Sequence, residues 1–468
     1  MMNHRIKMKN VIVPKVFTDV TPTVLNEETI SERKNKVLKR MNEESIDSLL
    51  IYADKEHGGS FEYLTGFIPR FEEGLLVIHN SGKSTLILGN ENLKMQKFSR
   101  IECDMIHYPQ FSLPNQPMDN EMILEDIFSK LNLNKKNKVA IAGWKMFSTT
   151  TTNPNLMFDV PYFIINALKN TLSSKTQLIN GAYLLIGENG ARTTNNANEI
   201  AHYEYGANLS STAILEAMNA IKVGKKETEI GSILNRDGQF NTVVTIAAAG
   251  KRFENANIYP SDKEIQHGDP ISMTVGYKGG LSSRTGFAIK EEKDLPADQS
   301  DYIDRVAKPY FNAVVTWIEN IKIGKKGKEI YDLIESVLPQ SKYGWHLNPG
   351  HLTSDEEWLS SPIFKDSEQK IKSGMILQID IIPSVTGYTG VSAEECIAIA
   401  DNKLREDIRK NYPQLWERIQ IRNEYLTNVL NINLPEEFLP LSNTVAYLRP
   451  FLLSKDIAFV KSDMRDNF

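Results

Sequence analysis

Apolar residues first recur at helical intervals after Thr29, with Ile30, Val37, Leu38 and Met41 on one face and Thr29 and Glu32 at capping-box spacing. The run Leu49-Leu50-Ile51-Tyr52 follows, so the pattern reads as a helix feeding a strand. Further strands are predicted at Leu75 to Ile78, Thr85 to Leu88 and Val139 to Ala142. They are separated by the turn-formers Asn80-Ser81-Gly82 and by a helix from about Asn120 to Leu131. This alternation describes an α/β domain ending near Leu185. Gly187-Glu188-Asn189-Gly190 and the polar stretch Thr193 to Asn196 mark its boundary, which gives an N-terminal domain over residues 1–188.

The segment Ser81-Gly82-Lys83-Ser84-Thr85 contains the G-K-S of a phosphate-binding loop, but that motif needs a glycine where Val77 stands. A hairpin turn between two strands is the better reading.

The second part of the chain, residues 189–430, repeats itself. Ile221-Lys222-Val223-Gly224-Lys225-Lys226 with Glu229-Ile230 returns 100 residues later as Ile321-Lys322-Ile323-Gly324-Lys325-Lys326 with Glu329-Ile330. A strand pair follows each copy, beginning at Gly268-Asp269-Pro270 in one half and at Gly374-Met375-Ile376 in the other. The distal ends also match, Arg284 to Ile289 against Glu394 to Ile399. Two copies of helix plus antiparallel strands predict a pseudo-twofold α+β domain curved over a shared pocket. A charged helical pattern runs from Lys403 to about Leu430, and residues 431–468 form a Pro- and Leu-rich tail that is expected to pack on the domain.

Composition narrows the function classes. The 468 residues carry 54 Lys and Arg against 59 Asp and Glu, a net charge of −5, and this slightly acidic balance gives no global attraction to nucleic acid or anionic membrane. With 41% hydrophobic residues the chain can bury a large core, which excludes disordered and low-complexity classes. Cys103 and Cys396 are too few for a disulfide framework or a cysteine zinc site and point to a reducing compartment. The basic start at Met1 leads into no signal-peptide core, and no stretch reaches 18 uninterrupted apolar residues. A cytoplasmic protein is expected.

The motifs resemble the superfamily of creatinase, aminopeptidase P, prolidase and methionine aminopeptidase. Tyr63-Leu64-Thr65-Gly66-Phe67 is similar to the creatinase-type N-terminal domain. Arg192 through Glu199-Ile200, Gly268-Asp269, Gly350-His351, Gly374-Met375 and Gly390 with Glu394 fall in the order of the catalytic domain. The resemblance implies an α/β creatinase-type domain followed by an α+β pita-bread domain, and a homodimer in which the loop at Arg70 approaches the partner's pocket. On the residues alone, Arg70 reads as surface.

Active peptidases of that superfamily hold two metal ions with two aspartates, one histidine and two glutamates. Ions so close together repel unless bridging anions neutralise them. The matching positions here are Thr274, then Arg284 or Thr285 according to how the strands are aligned, then His351, Asp380 and Glu394. Histidine positions that handle protons match Asn257 and Trp358, and His346 is similar to a further pocket histidine. Thr274, Thr285, Asn257, His346, Trp358 and Arg70 are therefore the expected substrate contacts.

A neutral threonine cannot bridge two ions, and an arginine facing the pocket would repel them. The expectation is accordingly a metal-free site resembling creatinase, with no cofactor. In it Arg284 fills the space of a lost ion and pairs with Glu394 or a substrate anion, while His351 shuttles a proton and Asp380 or Glu394 activates water. One Mn, Co or Zn ion on His351, Asp380 and Glu394 is the alternative. Asp380 lies in the apolar run Ile379 to Ile382, where a charge is costly unless it has a purpose. Glu394-Glu395 alone would read as an exposed strand end. Three functions are compatible with these residues: cleavage of a C–N bond in a small amide, amidine or guanidino substrate, metal-dependent removal of residues before proline, or noncatalytic binding of a peptide or metabolite.

Overall fold

The computed structural model describes residues 5–119 and 121–462. The predicted helix start at Asn120, residues 1–4 and the end of the tail, 463–468, lie outside them. The chain divides into two compact units, Leu25–Thr193 on one hand and Met1–Val24 with Thr194–Phe468 on the other. Residues 5–24 therefore belong with the larger unit and not with the smaller one, where a domain spanning 1–188 would put them. Strand pairing is the reason: β1 (Arg5–Asn10) runs antiparallel to the last strand of the chain, with Ile6 opposite Lys461 and Lys9 opposite Ala458.

In the smaller unit, β2 (Ser48–Ala53), β3 (Gly74–His79), β4 (Ser84–Leu88), β5 (Asp104–His107), β6 (Lys138–Ala142) and β7 (Gln177–Asn180) form a sheet in the order β5-β4-β3-β2-β6-β7. The four apolar runs are strands here. β5 and β7 have no counterpart in the hydrophobic pattern, because their positions are exposed or only half-buried apart from the polar Asn180. The first helix, Glu27–Glu43, starts ahead of the capping-box position, since Asn26 is the cap and its side chain accepts from the Thr29 N–H at 2.8 Å. The 120–131 pattern yields a shorter helix, Leu124–Lys130. Residues 80–83 turn between β3 and β4, with Gly82 at φ 87°, and form no phosphate cradle.

The larger unit contains β8 (Ile246–Ala249), β9 (Pro270–Tyr277), β10 (Gly280–Phe287), β11 (His351–Leu352), β12 (Ile376–Ile379), β13 (Ala393–Ile399), β14 (Phe438–Pro440) and β15 (Ile457–Ser462). The main sheet is antiparallel in the order β11-β12-β13-β10-β9-β8, with β14 also on β13. The internal repeat is structural. Gly224 and Gly324 take φ 84° and 85°, and their N–H groups donate to Ile265 O and Ile371 O, each at 2.8 Å. Glu229 and Glu329 then close the backbone N–H of Lys226 and Lys326, at 2.8 and 2.7 Å, opening helices Glu227–Leu234 and Gly327–Val337. The halves meet at the centre of the sheet, where β10 and β13 pair Ser283 with Glu394 and Arg284 with Ala393.

The charged pattern after Lys403 makes two helices, Asn402–Asn411 and Pro413–Asn428, because Pro413 has no N–H to continue the first. The tail is part of the core, with Leu439, Leu441, Tyr447, Leu452 and Phe459 buried. No helix among the described residues is long and apolar enough to cross a membrane.

Candidate functional site

Register decides which side chains meet. Residues paired across antiparallel strands share a face, and alternate residues along a strand do too. Thr274 pairs with Ser283, Ser283 with Glu394, His351 with Gln378, and Gln378 with Cys396. Thr274, Ser283, Thr285, His351, Gln378 and Glu394 thus line one face, with Asp380 two residues beyond Gln378. Arg284 and Glu395 belong to the opposite face.

His351, Asp380 and Glu394 are all buried, and one potential ligand atom from each lies within 4.8 Å of the others. The Nδ1–H of His351 donates to Leu352 O at 3.1 Å, which turns Nε2 toward the acids. Gln378 orients Glu394, donating from Nε2 to Glu394 Oε1 at 3.3 Å and to Leu281 O at 2.8 Å. Trp358 stacks on the His351 ring with centroids 4.0 Å apart. Behind Glu394, Tyr310 Oη accepts from Ala393 N at 2.7 Å and Tyr302 Oη donates to Gly390 O at 3.1 Å.

The acids repel one another in a dry setting. Burial, with Glu357 adding to it, raises Asp380 to about 6 against the pull of His351. Burial and the charges of Asp380 and Glu357 hold Glu394 well above the usual carboxylate range. Burial opposes the charge on His351, yet Glu357 and then Asp380 outweigh it and raise the imidazole above its ordinary value.

Three buried polar atoms of the cluster have no hydrogen-bond partner: His351 Nε2, Asp380 Oδ1 and Gln378 Oε1. Such atoms are costly unless something binds them. One imidazole and two carboxylates with ligand atoms this close together fit a single divalent cation. On the same face, at positions where the resemblance leads one to expect further carboxylates, Thr274 Oγ1 and Ser283 Oγ bond each other at 2.8 Å, and Thr285 Oγ1 accepts from Ser392 N at 2.8 Å. Of the two candidates for the next position, Thr285 shares the face of Glu394 and Arg284 does not.

Arg284 is the main correction to the expected site. Its side chain is fully buried on the far face and does not reach into the pocket. It pairs with Glu395 at 2.6 Å, not with the Glu394 carboxylate, and donates to Tyr447 O at 2.8 Å and Thr444 O at 2.5 Å. Neither substrate binding nor the replacement of an ion is open to it. Glu394 and Glu395 are likewise no exposed strand end, since both are buried.

Of the other expected contacts, Trp358 is at the cluster, whereas His346 is exposed on the segment before it and Asn257 is exposed on the turn after helix Lys251–Glu254. Arg70, in the smaller unit, is exposed, with its backbone held by Asn92. Glu357, Gln378 and Ser283 went unrecognised in the sequence. Gln378 and Ser283 fall two residues before Asp380 and Thr285, so strand alternation carries their signal. Glu357 lies in an irregular loop and has no periodic signal.

With fold and site in view, the comparisons converge. Metallopeptidase family M24 matches residues 201–401, and the Creatinase/Prolidase N-terminal domain matches residues 33–151. A Xaa-Pro dipeptidase of Pyrococcus horikoshii is 25% identical over 218 residues, which is 44% of this chain and 59% of that protein. The chain therefore spans little more than half the length of this curated relative. Among solved structures, the prolidase of Pyrococcus horikoshii superposes with a TM-score of 0.60 at 20% identity, covering 79% of this chain and 95% of that one. A Xaa-Pro dipeptidase from Bacillus anthracis gives 0.60 at 18%, covering 80% and 96%. These two share the pita-bread fold. The chain belongs to the creatinase, aminopeptidase P and prolidase superfamily.

Proposed function

We propose that this chain hydrolyses the amide C–N bond of a short peptide, in the manner of Xaa-Pro dipeptidases and aminopeptidases, with one divalent Mn, Co or Zn ion held by His351, Asp380 and Glu394. The observation that carries this reading is the convergence of buried His351, Asp380 and Glu394, with one ligand atom of each within 4.8 Å of the others and Asp380 Oδ1 left without a hydrogen bond. The metal-independent route loses its main support once Arg284 is on the other face.

A bound cation there supplies Lewis-acid polarisation of the scissile carbonyl and lowers the pKa of water. His351 offers Nε2 because its Nδ1–H is committed to Leu352 O. Gln378 keeps Glu394 aimed into the cleft. Thr274, Ser283 and Thr285 present hydroxyls to the substrate where relatives present charge, a lining suited to neutral amide groups. A cytoplasmic homodimer acting on short peptides completes the proposal, supported by superfamily resemblance and by two unpaired thiols, Cys103 and Cys396.

Chelator-stripped protein reloaded with Mn, Co or Zn is expected to cleave Xaa-Pro dipeptides, and His351→Ala to abolish the cleavage. Failure to cleave any dipeptide with the ion bound would overturn the hydrolase reading. It would favour noncatalytic binding, the reading that the loss of both strand-borne acids supports.

A further inference from the structure

Glu357 is the one acid at the cluster with no assigned task. Its Oε1 lies 2.9 Å from His351 Nε2, the nitrogen that would face an ion, while Asp380 Oδ2 is 3.8 Å from the same atom. With His351 protonated and no ion bound, the 2.9 Å contact is an ion pair. Its length is also that of two neighbouring donors on one ion: atoms each about 2.1 Å from a shared cation are about 3 to 4 Å apart. The next residue, Trp358, stacks on the imidazole and so fixes the chain beside Nε2. The Glu357 side chain is 17% exposed, whereas His351, Asp380 and Glu394 are buried.

We infer that Glu357 is a fourth donor to a single divalent cation, replacing from the loop after β11 the carboxylates that β9 and β10 do not supply at Thr274 and Thr285. The inference rests on the proposed cation site. It gives that site one nitrogen and three carboxylates, a hard donor set suited to Mn or Zn. The loop donor also explains how one ion can be held firmly with two strand positions neutral.

The test is calorimetric titration of the chelator-stripped full chain with Mn and with Zn, beside Glu357→Gln, an isosteric change at a partly buried position. Wild type is expected to bind one equivalent, and Glu357→Gln to bind it at least about tenfold more weakly, with unchanged circular dichroism without metal. Glu357→Asp should recover part of the loss. Equal affinity in wild type and Glu357→Gln overturns the fourth-donor role and leaves the three-residue site standing. No binding by wild type overturns both, and two equivalents overturns the single-ion assignment.

Discussion

Arg284 and Glu395 form a 2.6 Å ion pair in which neither side chain has any exposed surface. Ser282 and Thr444 complete the acceptor shell of Glu395 from the same face, and Ser282 bonds on to Ser210 in helix Ala197–Ala220. The pair therefore ties the middle of the sheet to its covering helix, directly behind Glu394. What looks in sequence like a substrate arginine is a structural bolt.

Removing one partner should be worse than removing both. Arg284→Met leaves a buried carboxylate without its cation and is expected to cost about 3–5 kcal/mol, whereas Arg284→Met with Glu395→Met should recover most of it. Urea unfolding of the two variants measures the difference. Equal losses would mean the pair is not a coupled unit.

Restoring acids at the hydroxyl positions should restore the second ion. Thr274→Asp with Thr285→Asp is expected to raise Mn stoichiometry from one to two per chain, because both side chains lie on the face of Glu394. Without metal the variant should melt lower, with added carboxylates repelling those in place. Stoichiometry that stays at one would contradict the face assignment.

The smaller unit contains a pH-sensitive contact at His79, which lies 2.8 Å from Ser48 Oγ through Nδ1. Burial, then Lys136 and Lys83, lowers its pKa below the ordinary histidine value of 6.5. The folded chain keeps the ring neutral while the unfolded chain takes up a proton, so this stability is complete above pH 6.5 and drains away as pH falls toward the folded-state pKa. His79→Asn should flatten the drop in melting temperature between about pH 7.5 and 5.5. A variant with the wild-type slope would assign that drop elsewhere.

Gly224 and Gly324 offer a test of the repeat. Both adopt left-handed backbone, and a Cβ at either would meet nothing within 4 Å. Substitution by alanine should then cost only the backbone strain, ~1 kcal/mol at each site. Thermal denaturation of Gly224→Ala and Gly324→Ala should show matching losses, and a large disparity would argue that the two turns are not equivalent.

Much of this was readable from the chain. Apolar runs mark β2, β3, β4 and β6, and matched turns mark the duplication. The order of the glycine-linked motifs brought His351, Asp380 and Glu394 together correctly. Arg284 was misread because a one-residue change in alignment moves a strand residue to the other face, and only pairing with β13 fixes the register. Glu357 could not be found at all, since a loop side chain reaches its position through chain path and not through periodicity. His346 and Asn257 fell outside for the converse reason: spacing suggested a wall that the backbone does not build.

The first and last strands, β1 and β15, are partners across nearly the whole polypeptide. On the ribosome, residues 5–10 must wait for a mate made some 450 residues later, a closure of very high contact order that belongs among the late folding events. Trimming either terminus would orphan the other. Affinity tags, truncations and fusions at one end therefore perturb both, and a proteolytic nick near Ile457 should loosen the start of the chain as much as its finish.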